Sequence, residues 1–217
     1  MTVKKLAIFL MALVMMIMTG CVSGGMAKEE AVEYPASIAD ADSMTLGTLT
    51  FYSKSFGKLS HKTFSKFFVE PRRNTVELHF HDGANFHTVI LKQGAREQII
   101  KATNAFVKEW EEHTLQNVKA TAKNAYSHGV IDYSFGIVSP SYKLKDIPFY
   151  MNCIFMEGQP YLVLRIPSQK VKGEESLYSP YTEVYFSRTQ AETLAERIDQ
   201  AYLERLVQDL VQEKYSY

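Results

Sequence analysis

From about Leu46 onward the chain alternates apolar and polar residues in short runs, and two longer stretches repeat apolar residues at helical spacing instead. Thr48 to Phe56, "TLTFYSKSF", is aromatic and β-branched. "KTFSKFFVE" is a weaker strand closed by Pro71, and "TVELHF" and "FHTVILK" flank the turn "HDGAN" as a hairpin. A helix follows, opening at Gly94-Ala95 with Glu97 in its first turn. Its apolar positions Ala95, Ile99, Ala102, Phe106 and Trp110 mark one face. The pattern lets this helix end near Gln116 or continue through Val118, Ala122 and Tyr126 to Gly129.

The order then repeats. "VIDYSFGIV", "IPFYMNCIFM" and "PYLVLRIP" around Glu157-Gly158-Gln159, then "YTEVYFS", predict four more strands before a last helix. Ser187 followed by Gln190 fits a capping box, with Ala191, Leu194, Ile198 and Tyr202 on one face. The expected fold is therefore α+β: a mainly antiparallel sheet with two amphipathic helices on one face, in two pseudo-equivalent ββββα halves, about 46–128 and 129–217. Ordinary α+β alternation without duplication fits the same pattern. No Pro-, Gly- or Ser-rich linker separates the halves, which predicts a single domain over 46–217.

Upstream of these elements stand Lys4 and Lys5, the apolar run Leu6 to Met18, and Met18-Thr19-Gly20-Cys21. The apolar run has the length of a signal-peptide core and is too short to span a bilayer. With Gly20 and Cys21 at its end it resembles the lipobox of bacterial lipoproteins, whose usual form is Leu-Ala/Ser-Gly/Ala-Cys. Met18 departs from the usual Leu, and Thr19 is a tolerated variant. The resemblance covers the leader alone. It implies a signal peptide over 1–20, cleavage before Cys21, lipid on the Cys21 sulfur and acylation of the new amino group, an effectively permanent anchor. Val22, where an Asp would retain the protein in the inner membrane, is similar to cargo sent to the outer membrane of a host with two membranes. From Val22 to Ser43 the chain is small and polar, so 21–45 is expected to be the lipidated Cys and a flexible tether.

Composition removes several classes of function. Without residues 1–20, 197 residues remain (217 less 20), carrying 22 basic and 24 acidic side chains. That balance offers no attraction for nucleic acid. A chain this long buries about 70% of its surface without staples. Of its 2 cysteines, Cys153 lies among apolar neighbours and reads as a buried thiol packing as a small hydrophobe.

Candidate chemistry concentrates in "LHFHDGANFH", Leu78 to His87, with 3 of the 6 histidines. Val76, Leu78 and Phe80 mark the buried face, which puts Glu77, His79 and His81 on the other. A three-residue loop would set His87 opposite His79 on that same face. A four-residue "DGAN" loop would pair His81 with Phe86 and send His87 to the core. With Asp82 in reach, zinc or copper would accept such a set, but the spacing is unspecific, and the preferred reading is a polar hairpin face with no metal and no cofactor. "SFGK" at 55–58 has an acyl-transfer spacing but lies at a strand end, where that chemistry needs a helix start. Glu109, Glu111 and Glu112 read as a solvated helix face. Tyrosines crowd the second half, and loops around Tyr142 and Tyr178 form the first candidate for a partner surface.

The sequence thus predicts a lipid-anchored envelope protein with a non-catalytic binding or scaffolding domain, the membrane and an envelope protein as partners, and no nucleic acid. The alternatives are a metal-binding lipoprotein using His79 and His81 with Asp82 or His87, and a hydrolase whose residues converge from distant positions.

Overall fold

Side chains that alternate along a strand can all be buried on one side only if the sheet has an inside, and this one makes its inside by curling. The computed structural model describes residues 37–55, 57–118, 121–137 and 139–215. The leader, Cys21 and the tether as far as residue 36 lie outside the described residues. Ten antiparallel strands form one sheet: β1 (Met44–Thr45), β2 (Thr50–Ser55), β3 (Lys58–Thr63), β4 (Lys66–Glu70), β5 (Thr75–Asp82), β6 (Asn85–Leu91), β7 (Ser127–Gly136), β8 (Tyr142–Met156), β9 (Gln159–Ile166) and β10 (Thr182–Phe186). Three helices accompany them: α1 (Gln93–Glu111), α2 (Arg188–Arg197) and α3 (Gln200–Tyr215). The fold is α+β with a large antiparallel sheet, as the alternation predicts.

The ribbon 44–70 gives the sheet its shape. Met44 pairs with Val69 and Thr45 with Phe68; Thr50 pairs with Thr63, and so on to Ser55 with Lys58. Between these segments Leu46 N–H donates to Phe67 O at 2.8 Å and Phe64 N–H to Leu49 O at 3.0 Å. One register therefore runs the whole length, so β1 and β2 are two segments of one stave, and β3 and β4 of the next. The first stave meets β10 on its other edge, Tyr52 opposite Tyr185. The second meets β5, from Lys66 opposite His79 to Glu70 opposite Thr75. Because β5 to β10 pair in chain order, the sheet closes on itself as an antiparallel barrel of eight staves.

Chain length requires this closure. β3 and β4 are tenth and second in the strand order yet are joined by Phe64 and Ser65 alone. Such a link reaches about 11 Å, whereas a flat sheet would put them about 38 Å apart. Rings from staves that are not neighbours meet inside: Phe51 lies 5.3 Å from Phe80 and Phe64 lies 6.4 Å from Phe186.

This order departs from two equal ββββα halves. β7 to β10 form the expected meander, but the β2–β3 hairpin leaves the first run to cover the edge of β10, and the second run ends in two helices. The physical reason is the edge itself: an uncovered β10 would present unpaired backbone groups, which closure pairs.

The helices bury the faces their spacing predicts. On α1, Ala95, Ile99, Ala102 and Phe106 join the same core as Ala191, Leu194 and Ile198 of the α2 end and the inward strand residues. α1 packs on β7 and β8, and α2 on β9, β10 and α1. The capping box at Ser187 is present: its Oγ accepts from Gln190 N–H, and Gln190 Oε1 accepts from Ser187 N–H at 2.9 Å. The longer reading of α1 does not hold, because the helix ends at Glu111 and His113 turns left-handed at φ 56°. Buried Arg96 ties the helices to the sheet. Its guanidinium donates to Asn74 Oδ1 at 2.7 Å, Ile198 O at 3.1 Å and Gln200 Oε1 at 2.6 Å.

Strand direction sorts the connections between two ends. The ends of β2, β5, β7 and β9 and the loop 167–181 lie at one end; α1, the start of α2 and the Glu157-Gly158 turn lie at the other. The core predicts a specific loss. Phe106 is fully buried, so Phe106→Ala should destabilise the fold by about 3 to 5 kcal/mol in urea unfolding; a change below about 1 kcal/mol would place its ring outside the core.

Candidate functional site

On β9, β10 and β2 the residues that alternate with the core positions point to the outer side of the barrel, and there they assemble a tyrosine face. Leu162, Leu164 and Ile166 of β9, Val184 and Phe186 of β10, and Phe51 of β2 belong to the core. Tyr161, Arg165, Glu183, Tyr185 and Tyr52 therefore share the opposite side. Ring centroids of Tyr52 and Tyr161 are 5.5 Å apart, those of Tyr52 and His61 of β3 are 5.3 Å, and those of Tyr161 and Tyr185 are 6.4 Å. At the centre Glu183 collects three donors: Tyr185 OH, Tyr181 OH at 2.8 Å and Arg165 Nη2 at 2.9 Å. The Arg165 and Glu183 side chains are only 20% and 15% exposed, while Tyr181 is 56% exposed. The face continues into the loop 167–181, where Tyr178 is also exposed.

The hydroxyls of this cluster are held protonated. Burial, then the bond to Glu183, pushes the Tyr181 hydroxyl up to about 12 and Tyr185 higher still. Both stay protonated at neutral pH, and the carboxylate they address is already satisfied, so these hydroxyls offer no ready nucleophile. Tyr185 is itself only 1% exposed, so what the cluster presents is Tyr181 and Tyr178 with half-buried Tyr52 and Tyr161 beside an internally neutralised ion pair, and aromatic side chains of this kind are enriched at the centres of protein interfaces.

The histidine hairpin resolves in favour of the core position for His87. His81 pairs with Phe86 and Asp82 with Asn85, so His87 points inward opposite Phe80. There its Nδ1 lies 2.6 Å from Tyr133 OH, which lies 2.9 Å from Thr182 Oγ1 across the barrel interior. Its ring stacks on Phe80 at 4.9 Å. His79 stays outside but is not freely exposed: its Nε2 meets Glu77 Oε2 at 2.9 Å, and its ring sits between Phe68 and Phe86. Among the described residues no three His, Cys, Asp or Glu side chains converge to hold an ion. The hairpin thus separates the three imidazoles that a shared ion would need on one side.

Other predicted positions fall as follows. Tyr142 stacks on Phe135 at 5.3 Å at the tip of β8, and among the described residues no ring contact joins it to Tyr178. Cys153 is buried, and burial, then the Glu109 charge, pushes its thiol up to about 12, far from a reactive thiolate. Ser55 and Lys58 pair across the β2–β3 turn. Glu109 is not a solvated residue: its carboxylate accepts from Tyr126 OH at 2.6 Å. Tyr52, His61, Arg165 and Glu183 carried no signal beyond their alternation.

Residues 27–205 match the model of a family described as "Uncharacterised Treponema protein". The chain belongs to this family. The matched span holds every strand, α1 and α2, and so the whole tyrosine face. Comparison with curated proteins gives no match. Among solved structures, the chain is similar to the complement regulator acquiring outer surface protein BbCRASP-4, or ErpC, from Borrelia burgdorferi, with 9% identity over 72% of this chain and 99% of that one and a TM-score of 0.33. Complement regulator-acquiring surface protein 3, or ErpP, from the same organism shows 11% identity over 70% and 96%, with a TM-score of 0.30.

Buried His87 makes the fold sensitive to acid. Burial, then the neighbouring His81, lowers its pKa to about 4, below the unfolded value of about 6.5. The unfolded chain therefore takes up the proton first. Stability is fully present above about pH 6.5 and falls by about 3 kcal/mol as pH drops towards 4. Urea unfolding of the wild type and His87→Gln between pH 7 and 4 should show the wild type's advantage shrinking by that amount; an advantage independent of pH would contradict a neutral His87.

Proposed function

We propose that the chain is a lipid-anchored envelope protein whose barrel binds or scaffolds a protein partner through the tyrosine face. In this reading residues 1–20 are removed, Cys21 carries the lipid, 21–45 is the tether and 46–217 is the binding domain, on the outer membrane where the host has two. The observation that carries the reading is the cluster of Tyr52, His61, Tyr161, Tyr181 and Tyr185 around Arg165 and Glu183 on a wall of the barrel. A face of tyrosines packed edge to face on rigid strands offers contact area at small cost in side-chain entropy. The pair at its centre is already neutralised and gives no handle for a polyanion. A protein surface that brings its own apolar and hydrogen-bonding groups fits best.

Anchoring and binding are tested separately. Cys21→Ala should move the protein from the detergent phase to the aqueous phase on phase separation; retention in the detergent phase would remove the lipid anchor from the account.

For the face, a photoreactive phenylalanine at Tyr161 or Tyr181 in cells should yield a discrete protein adduct, and the same residue at Phe86, across the barrel, should not. Equal labelling at both places, or none at Tyr161 and Tyr181, would sink the assignment.

A further inference from the structure

A line of polar groups crosses the barrel interior and ends beneath the tyrosine face. His87 of β6, Tyr133 of β7 and Thr182 of β10 are all buried. His87 Nδ1 lies 2.6 Å from Tyr133 OH, and Tyr133 OH lies 2.9 Å from Thr182 Oγ1. The Thr182 hydroxyl also donates to Pro180 O at 3.4 Å. In the chain Thr182 stands between Tyr181 and Glu183, both members of the face. One buried imidazole therefore reaches, through Tyr133, the start of β10 and the end of the loop 167–181.

This line suits a neutral imidazole alone. The rings of Phe80 and Tyr133 stack on His87 at 4.9 and 5.9 Å, and among the described residues its buried Nε2 has no hydrogen-bond partner. A charged ring carries a proton on both nitrogens. The second N–H would be buried without an acceptor, and the charge without a counter-ion. Its titratable neighbours supply neither: His81 of β5 repels a second positive charge, burial keeps Tyr133 of β7 protonated, and Asp82 of β5 bears on Tyr133. From β10 it is Thr182, an uncharged group, that faces this line. The imidazolium thus forms when the ring reaches water. His87 is the third residue of β6, next to the Gly83-Ala84 turn, so the way out is the barrel end where β5 stops. Leaving takes the ring from Tyr133 and slackens the hold on Thr182.

We propose that His87 is an acid-sensitive latch on the tyrosine face: neutral, it holds the start of β10 through Tyr133 and Thr182; charged, it swings out and frees Tyr181 and the loop 167–181 while the rest of the barrel stays closed. That such a release lets go of a protein partner rests on the proposed function; the latch itself does not. In the opened form the ring titrates near its ordinary value of about 6.5, so that form gains on the closed one about tenfold for each pH unit below it.

Relaxation-dispersion NMR on the full chain in detergent micelles reads the opening with no partner present. Between pH 7 and 5 the exchange contribution at the amides of Tyr178, Tyr181 and Thr182 should grow at least about tenfold, while the Trp110 indole on α1 shows no growth. His87→Gln should remove this pH dependence. Thr182→Val, which keeps His87 beside Tyr133 but cuts the link to β10, should leave growing exchange at His87 and abolish it at Tyr178 and Tyr181. Equal growth at Trp110 would mean that acid opens the whole barrel. No growth at Tyr181, or growth that persists in either variant, would mean that the ring does not hold the face. Any of these results overturns the latch, whereas absence of a photo-adduct at Tyr181 would count against the proposed function and leave these readings unchanged.

Discussion

The fold rests on one unbroken register, that of the ribbon 44–70. Leu46 with Phe67 and Leu49 with Phe64 keep the pairing in step through the bend between its two halves. One arm can therefore meet β10 while the other meets β5. A one-residue slip would turn Phe51, Phe64, Phe67 and Val69 from the interior to the surface. Since all four are buried, burial of apolar area and closure of the ring enforce each other.

Among the polar side chains buried in this apolar enclosure, Arg96 and His87 have different consequences. Arg96 is fully buried, yet its guanidinium finds Asn74, Ile198 and Gln200 and so joins α1 to the β4–β5 turn and to the junction of α2 and α3. Burial lowers its pKa to about 10, which still leaves it charged at neutral pH. Removing it would leave buried acceptors unpaired, a larger loss than the bonds alone. His87 instead stays neutral, bonded to Tyr133 in the interior. The first is a permanent tie; the second is sensitive to acid.

Local pattern revealed most of the strands, the buried face of α1 and the capping box at Ser187, because each depends on residues within a few positions of one another, but it missed β1 and read as one strand the stretch 62–70, which spans the end of β3, the Phe64–Ser65 link and β4. It also narrowed the hairpin to two registers, of which the observed one sends His87 inward. Three features were not legible for a physical reason. Closure depends on which strand covers β10, a contact between Tyr52 and Tyr185 far apart in the chain. The break between α2 and α3 was hidden because apolar spacing runs through it. There Arg96 takes the Ile198 carbonyl, and Asp199 Oδ1 accepts from Tyr202 N–H at 3.1 Å to start the next helix. The tyrosine face follows from both: its members alternate legibly along each strand, but only closure brings Tyr52 and His61 beside Tyr161 and Tyr185.

The tyrosine face exists only if β2 lies against β10, so the account turns on that seam. Amide hydrogen exchange across it is the most direct measurement. Closure predicts that amides along β10 and β2 at the Tyr52–Tyr185 seam are protected to the level of the β5–β6 pair, with a cross-strand nuclear Overhauser contact between the two residues. Exchange there as fast as at a free sheet edge, without that contact, would show an open sheet and contradict the account.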